Sequence, residues 1–213
     1  MTKTLEGRTN AKHAAAPHSQ TRAAALGRLG PKGASVIQRE QRPAGETPFD
    51  GLLTNRILTA LPGEDFARLL PHLEPVSLAQ GTNLYSFDEP VHFAYFPETA
   101  VLSQLYVLED GSSAEAAVVG REGLAGMSAI FGPRAPSYST VVTVGGSALR
   151  LRAETMRQEF ARAGAMQRLL LACAGERVTH ISQRAVCNGR HTVERRMCSW
   201  LLMIQERAGE DLL

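Results

Sequence analysis

The residues with the clearest chemical potential lie between Gly120 and Thr140, in GREGLAGMSAIFGPRAPSYST. Gly120, Gly123 and Gly126 punctuate a turn between β-type runs. Glycine admits backbone conformations closed to other residues and leaves its amide unshielded. Such a turn offers N–H donors to an anion, as nests and helix N-termini do. The same glycines also suit plain corners in a compact β-domain, because short glycine motifs recur by chance. Other chemistry is sparse. His92 is the only histidine between residues 76 and 152, whereas an enzyme on a cupin-like barrel needs a cluster of histidine and carboxylate inside it. Cys173, Cys187 and Cys198 form no CxxC pair, and they read as reduced thiols of a cytoplasmic protein. Iron–sulfur sensing needs clustered thiolates, and no cysteine precedes Cys173. His180 follows Cys173 by seven residues on one helix and reads as a core or interface residue. No catalytic constellation, metal site or cofactor is expected.

The elements that position this turn can be read from punctuation. Glu109-Asp110-Gly111 between Val101–Leu108 and Ser113–Val119 signals a hairpin, and Gly145-Gly146 between Thr140–Val144 and Ala148–Leu151 signals a second. Some seven short strands between residues 76 and 152 describe an antiparallel barrel or sandwich. Upstream, Asn55 can cap a helix from Arg56 to Leu61. Pro62 opens another, with Phe66, Leu69, Leu70 and Leu73 at helical spacing and Pro75 closing it. Downstream, a short helix spans 153–163 and, after Gly164, a long one runs from about 165 to a stop at Asn188-Gly189. In the long helix Leu171, Ala174, Val178, Ile181 and Ala185 step by three and four, the spacing of one straight apolar seam. That seam is expected to pair subunits rather than to pack on the barrel. Thr192 can cap a last helix with Val193, Met197, Trp200, Leu201 and Ile204 on its apolar face.

Composition sets the outer limits. The 213 residues carry a formal charge of +2, unevenly spread. Residues 1–47 hold eight Lys or Arg against three Glu, so that segment carries +5 and the remainder −3. The mildly acidic remainder gives no electrostatic case for nucleic-acid binding. Residues 1–47 have few large apolar side chains and are expected to be a disordered basic tail; a basic arm, a transit peptide or a misplaced start are the alternatives. No apolar run approaches the roughly 18 residues of a membrane span.

The order of short helices, glycine-cornered β-roll and long helix resembles the effector half of the Crp/Fnr family of bacterial transcription regulators. The resemblance rests on Gly81, Leu84-Tyr85, Glu89-Pro90, Tyr95-Phe96-Pro97, Leu108 to Gly111, Val119 to Gly123, Cys187-Asn188 and His191 to Arg196, across about residues 55 to 210. It implies an α+β chain: an antiparallel β-roll (double-stranded β-helix or jelly roll) of cyclic-nucleotide-binding type with flanking short helices, then a long dimerisation helix. The domains expected are a tail at 1–47, the β-roll at 48–163, the dimerisation helix at 164–189, and at 190–213 a helix leading to a missing or truncated DNA-binding half. Cyclic-nucleotide binders of the family place a Glu after the glycine of the phosphate turn and an Arg about ten residues on. Here Met127 follows Gly126, and the Arg position falls at Ser137 or Tyr138, with Arg134 off the pattern. Met, Ser and Tyr cannot replace a carboxylate acceptor or a forked cation, so cyclic AMP is not the expected ligand.

The resemblance therefore implies a sensory and dimerisation module whose effector, if there is one, meets Gly126, Met127, Ser128, Arg134, Ser137, Tyr138, Ser139 and Thr140. The expected partner is a second copy or an intact relative in a mixed dimer, with no direct DNA reading and no membrane. A ligand-free interaction protein and a cupin-like enzyme are the competing functions.

Overall fold

The computed structural model describes residues 38–39, 53–131 and 135–208. A two-residue strand, β1 (Gln38–Arg39), pairs antiparallel with Ser77 and Val76. These two residues belong to the stretch read as a disordered tail; the rest of 1–47 lies outside the described residues. Asn55 then caps α1 (Arg56–Thr59), its Oδ1 accepting from the amides of Ile57 and Leu58. Pro62 leads into α2 (Gly63–Leu69), which has Glu64 and Asp65 in its first turn and tightens into a 3-10 turn at Leu70–His72.

Seven strands follow: β2 (Glu74–Leu78), β3 (Asn83–Tyr85), β4 (Phe93–Pro97), β5 (Val101–Val107), β6 (Ser113–Val119), β7 (Ser139–Val144) and β8 (Gly146–Arg152), with a one-turn helix α3 (Ser128–Phe131) between β6 and β7. They form two sheets, in the orders β1-β2-β8-β4 and β3-β7-β5-β6. Every neighbouring pair is antiparallel. This is the expected α+β antiparallel β-roll. Alternation along each strand sends Val76, Leu78, Tyr95, Tyr85, Leu102, Val119 and Val142 into one shared interior. The opposite face of the first sheet, with Ala94, Phe96, Leu149 and Leu151, is buried against Leu58, Leu69, Met156, Met166 and Leu170 of the helices.

The chain leaves the roll through α4 (Ala153–Ala161) and α5 (Ala165–Arg190), then turns at His191-Thr192 into α6 (Val193–Ala208). At about 1.5 Å per residue α5 is roughly 39 Å long, and only Ala165, Met166 and Leu170 at its start are fully buried. Ile204 and Ala208 of α6, with Trp200 and Met203, pack on Val101 and Val118 of the outer face of the second sheet. Three groups on Glu115 fasten this arrangement: Ser103 Oγ donates to it at 2.6 Å, Arg184 Nη2 at 2.9 Å and Trp200 Nε1 at 2.9 Å.

The structure corrects four expectations. The two strands flanking Gly145-Gly146 do not pair: β7 joins β3 and β5, while β8 joins β2 and β4. The chain crosses between sheets there, and a Cβ on Gly146 would sit 2.6 Å from the Ala100 amide nitrogen. Pro75 lies within β2 opposite Leu149 instead of ending a helix. Asn188-Gly189 does not stop α5, which runs on to Arg190 and is closed by the His191 amide donating to the Cys187 carbonyl. Val193 and Met197, placed on the apolar face of the last helix, are exposed, and the buried face is carried by its later turns.

Trp200 is the only tryptophan in the sequence, so it reports the seating of α6. Glu115→Ala leaves three donors without their acceptor, and the expected loss is about 2 kcal/mol with a red shift of Trp200 emission. Unchanged emission and an unchanged denaturation midpoint would show that α6 seats without Glu115.

Candidate functional site

Two helices approach the roll where two glycines leave room. A Cβ on Gly120 would lie 2.6 Å from Arg207 Cβ of α6. One on Gly123 would meet Arg177 Nη2 at 3.4 Å and Cys173 Sγ at 3.6 Å on α5. Their amides are already used: Gly120 donates to Glu122 Oε1 and Gly123 to the Gly120 carbonyl. Of the three glycines in this turn only Gly126 has a positive φ, +99°. The turn therefore serves close helix approach first, and neither of these two amides is left to hold an anion.

Between β6, Glu122-Gly123, α5 and α6 lies a cleft of about 40 Å³. Ala116, Ala117 and Val118 form one wall, Cys173, Glu176, Arg177, His180, Ile181 and Arg184 the second, and Met203 with Arg207 the end. Arg207 Nε donates to Glu122 Oε1 at 2.7 Å, which neutralises that carboxylate. Arg184 is held by Glu115 through Nη2 only. Arg177 Nη2 donates to the Leu124 carbonyl at 2.8 Å, and among the described residues no salt bridge engages Arg177. Burial pushes the Cys173 thiol up, with the Arg177 guanidinium acting against it. Burial likewise holds the Tyr85 phenol well above its ordinary range, and Arg177 again acts the other way.

The buried polar atoms without a hydrogen-bond partner, among the described residues, are Gln104 Nε2, Glu122 Oε2, Ser128 Oγ, Thr140 Oγ1 and Arg184 Nη1. Two belong to cleft residues. Gln104 and Thr140 stand opposite each other on β5 and β7, and on its other side Gln104 stands opposite Ala117 of the cleft wall. Leu102 and Val142, two residues away on the same strands, point into the roll, so Gln104 and Thr140 do as well. Buried polar groups are almost always paired, and each exception asks for a reason.

The residues expected at the site are only partly gathered. Thr140 is fully buried on the inner face of β7. Ser139 Oγ accepts from the Phe87 amide at 3.2 Å, and the Tyr138 ring lies tilted against Tyr106, their centres 5.9 Å apart. Ser137 is exposed and Arg134 lies outside the described residues. Met127 is buried in the helix-side core, and Ser128 starts α3. None of the described ones lines the cleft. Sequence reasoning missed Arg177 and Arg184. The signal was present: Cys173, Arg177, His180 and Arg184 step by four, three and four beside the apolar seam, a polar stripe on one helix face. Among the described residues no group of three or more His, Cys, Asp or Glu is placed to hold a metal ion, and no helix is long and apolar enough to cross a membrane.

No protein-family model matches the chain, and no curated protein does. Solved structures do match. The c-di-GMP responsive global regulator CLP of Xanthomonas campestris aligns at a TM-score of 0.55 and 13% identity, over 66% of this chain and 70% of that one. FixK2 of Bradyrhizobium japonicum aligns at 0.53 and 18%, over 62% and 65%. A cyclic nucleotide-binding domain from Methylobacillus flagellatus KT aligns at 0.50 and 16%, over 65% and 80%. At such identities the shared property is the fold, a β-roll of cyclic-nucleotide-binding type.

Proposed function

We propose that this chain is the sensory and dimerisation module of a Crp/Fnr-type transcription regulator, taking a small effector other than cyclic AMP between the β-roll and α5. The observation that carries the reading is the double use of α5. One of its faces walls the cleft through Arg177, His180 and Arg184. Another carries Leu171, Val178 and Ala185, all exposed, with Val178 at 65%, and Ile181 stands where the two faces meet; Ala174 is half-buried against the helix-side core. A helix so placed can pass a change in the cleft to a second copy seated on the seam. Met127, buried among core residues, has no carboxylate to offer a ribose hydroxyl.

The oligomeric state tests this. By size-exclusion chromatography with light scattering the chain is expected to elute as a dimer at micromolar concentration, and Leu171→Glu with Val178→Glu as a monomer with unchanged circular dichroism. A wild-type monomer at every concentration would sink the reading. Cyclic AMP at millimolar concentration is expected to leave the thermal midpoint within about 1 °C, since a ligand of the folded state at 100 times its Kd adds about 2.7 kcal/mol. A clear rise would reinstate a nucleotide pocket.

A further inference from the structure

We propose that the cleft takes a small organic carboxylate, and not a nucleotide. The proposal rests on the effector-binding reading above and names the class of molecule that fits. Size is the first argument. Sites for drug-sized ligands run from about 300 to 1,000 Å³, and the cleft offers about 40 Å³. A molecule of a few heavy atoms suits that volume.

Charge is the second argument. The cleft holds two guanidiniums with capacity to spare: Arg177 has no salt-bridge partner among the described residues, and Arg184 keeps Nη1 unpartnered. Their spacing of seven residues puts both on the same side of α5. Guanidinium donors match the two oxygens of a carboxylate. The nearest wall carboxylate, Glu122, is already answered by Arg207. Glu176 is the remaining acid of the lining, and it disfavours ligands of higher negative charge.

Thermal unfolding and calorimetric titration of the full chain with nicotinate, pyruvate, nicotinamide, benzoate, inorganic phosphate and cyclic AMP provide the test. Nicotinate or pyruvate is expected to bind, with nicotinamide, which lacks the charge, at least tenfold weaker. Arg184→Gln is expected to lose about tenfold for the carboxylate. Equal affinity for nicotinate and nicotinamide, or binding of cyclic AMP or phosphate alone, overturns the ligand class and leaves effector binding standing. Carboxylate binding that Arg184→Gln leaves unchanged in a folded variant overturns the proposed site. No response to any of the six overturns the ligand class and counts against the effector reading.

Discussion

Asn55→Ala is expected to cost about 3–5 kcal/mol, a large part of the roughly 5–15 kcal/mol that holds a domain together. The side chain is wholly buried, and four hydrogen bonds end on it. Oδ1 caps α1, and losing such a cap costs about 1–2 kcal/mol. Nδ2 donates at 2.9 Å to the carbonyls of Pro97 and Gly123, and each acceptor left buried and unpaired costs about 1–3 kcal/mol. The side chain thus ties the first helix to the end of β4 and to the floor of the cleft. The Arg56 amide reinforces this by donating to the Arg121 carbonyl at 2.7 Å. Asn55→Asp keeps the cap but turns an oxygen toward two carbonyls, so it should lose as much. Urea unfolding is the measurement, with the midpoint falling and the slope unchanged. A loss below about 1 kcal/mol in Asn55→Ala would mean that those carbonyls find other donors.

Gly126→Ala is expected to cost about 3–4 kcal/mol. Its φ of +99° strains any L side chain, at about 1–3 kcal/mol. The new Cβ would also lie 2.9 Å from Tyr85 Oη, 3.0 Å from the Phe93 carbonyl and 3.1 Å from Ala94 Cα. The backbone cannot yield easily, because β4 is paired to β8 and Ala125 bridges Tyr95. Tyr85 can yield only by losing its 2.7 Å hydrogen bond to the Phe93 carbonyl. Gly111→Ala is the control: φ is +82° there, but nothing stands within 4 Å, so only the backbone strain is expected, about 1 kcal/mol. Similar losses in the two variants would show that the crowding around Gly126 relaxes freely.

How much of this could be read from the chain depends on the range of the forces involved. Asn55, Pro62 and Asp110-Gly111 act over a few residues, and the α1 cap, the start of α2 and the β5–β6 hairpin stand where local chemistry put them. The long helix was legible because an apolar step of three and four is a property of one strip of chain. Gly145-Gly146 misled because a turn signal says that the chain reverses, and not which sheet receives it. The same holds for α6: its periodicity is plain, but its seating on Val101 and Val118 depends on Glu115, Arg184 and Trp200, which are far apart in sequence. The candidate site was the least legible part. Glycines drew attention to the turn, while the guanidiniums with spare capacity sit on α5, and only the fold sets that helix against β6 and α6.

The placement of β7 and β8 also fixes an order of events in synthesis. Each is an interior strand of its sheet, and they are the last two strands made. Glu74 meets Arg150 across 76 residues of chain, so β2 and β4 stay unpaired along those edges until residue 152 has left the ribosome, and β3 until residue 144 has done so. Such late, distant pairing makes for slow folding, in milliseconds to seconds. A nascent chain halted before residue 139 presents open strand edges, the template on which chains aggregate. Closure of those edges by β7 and β8 is what ends that exposure.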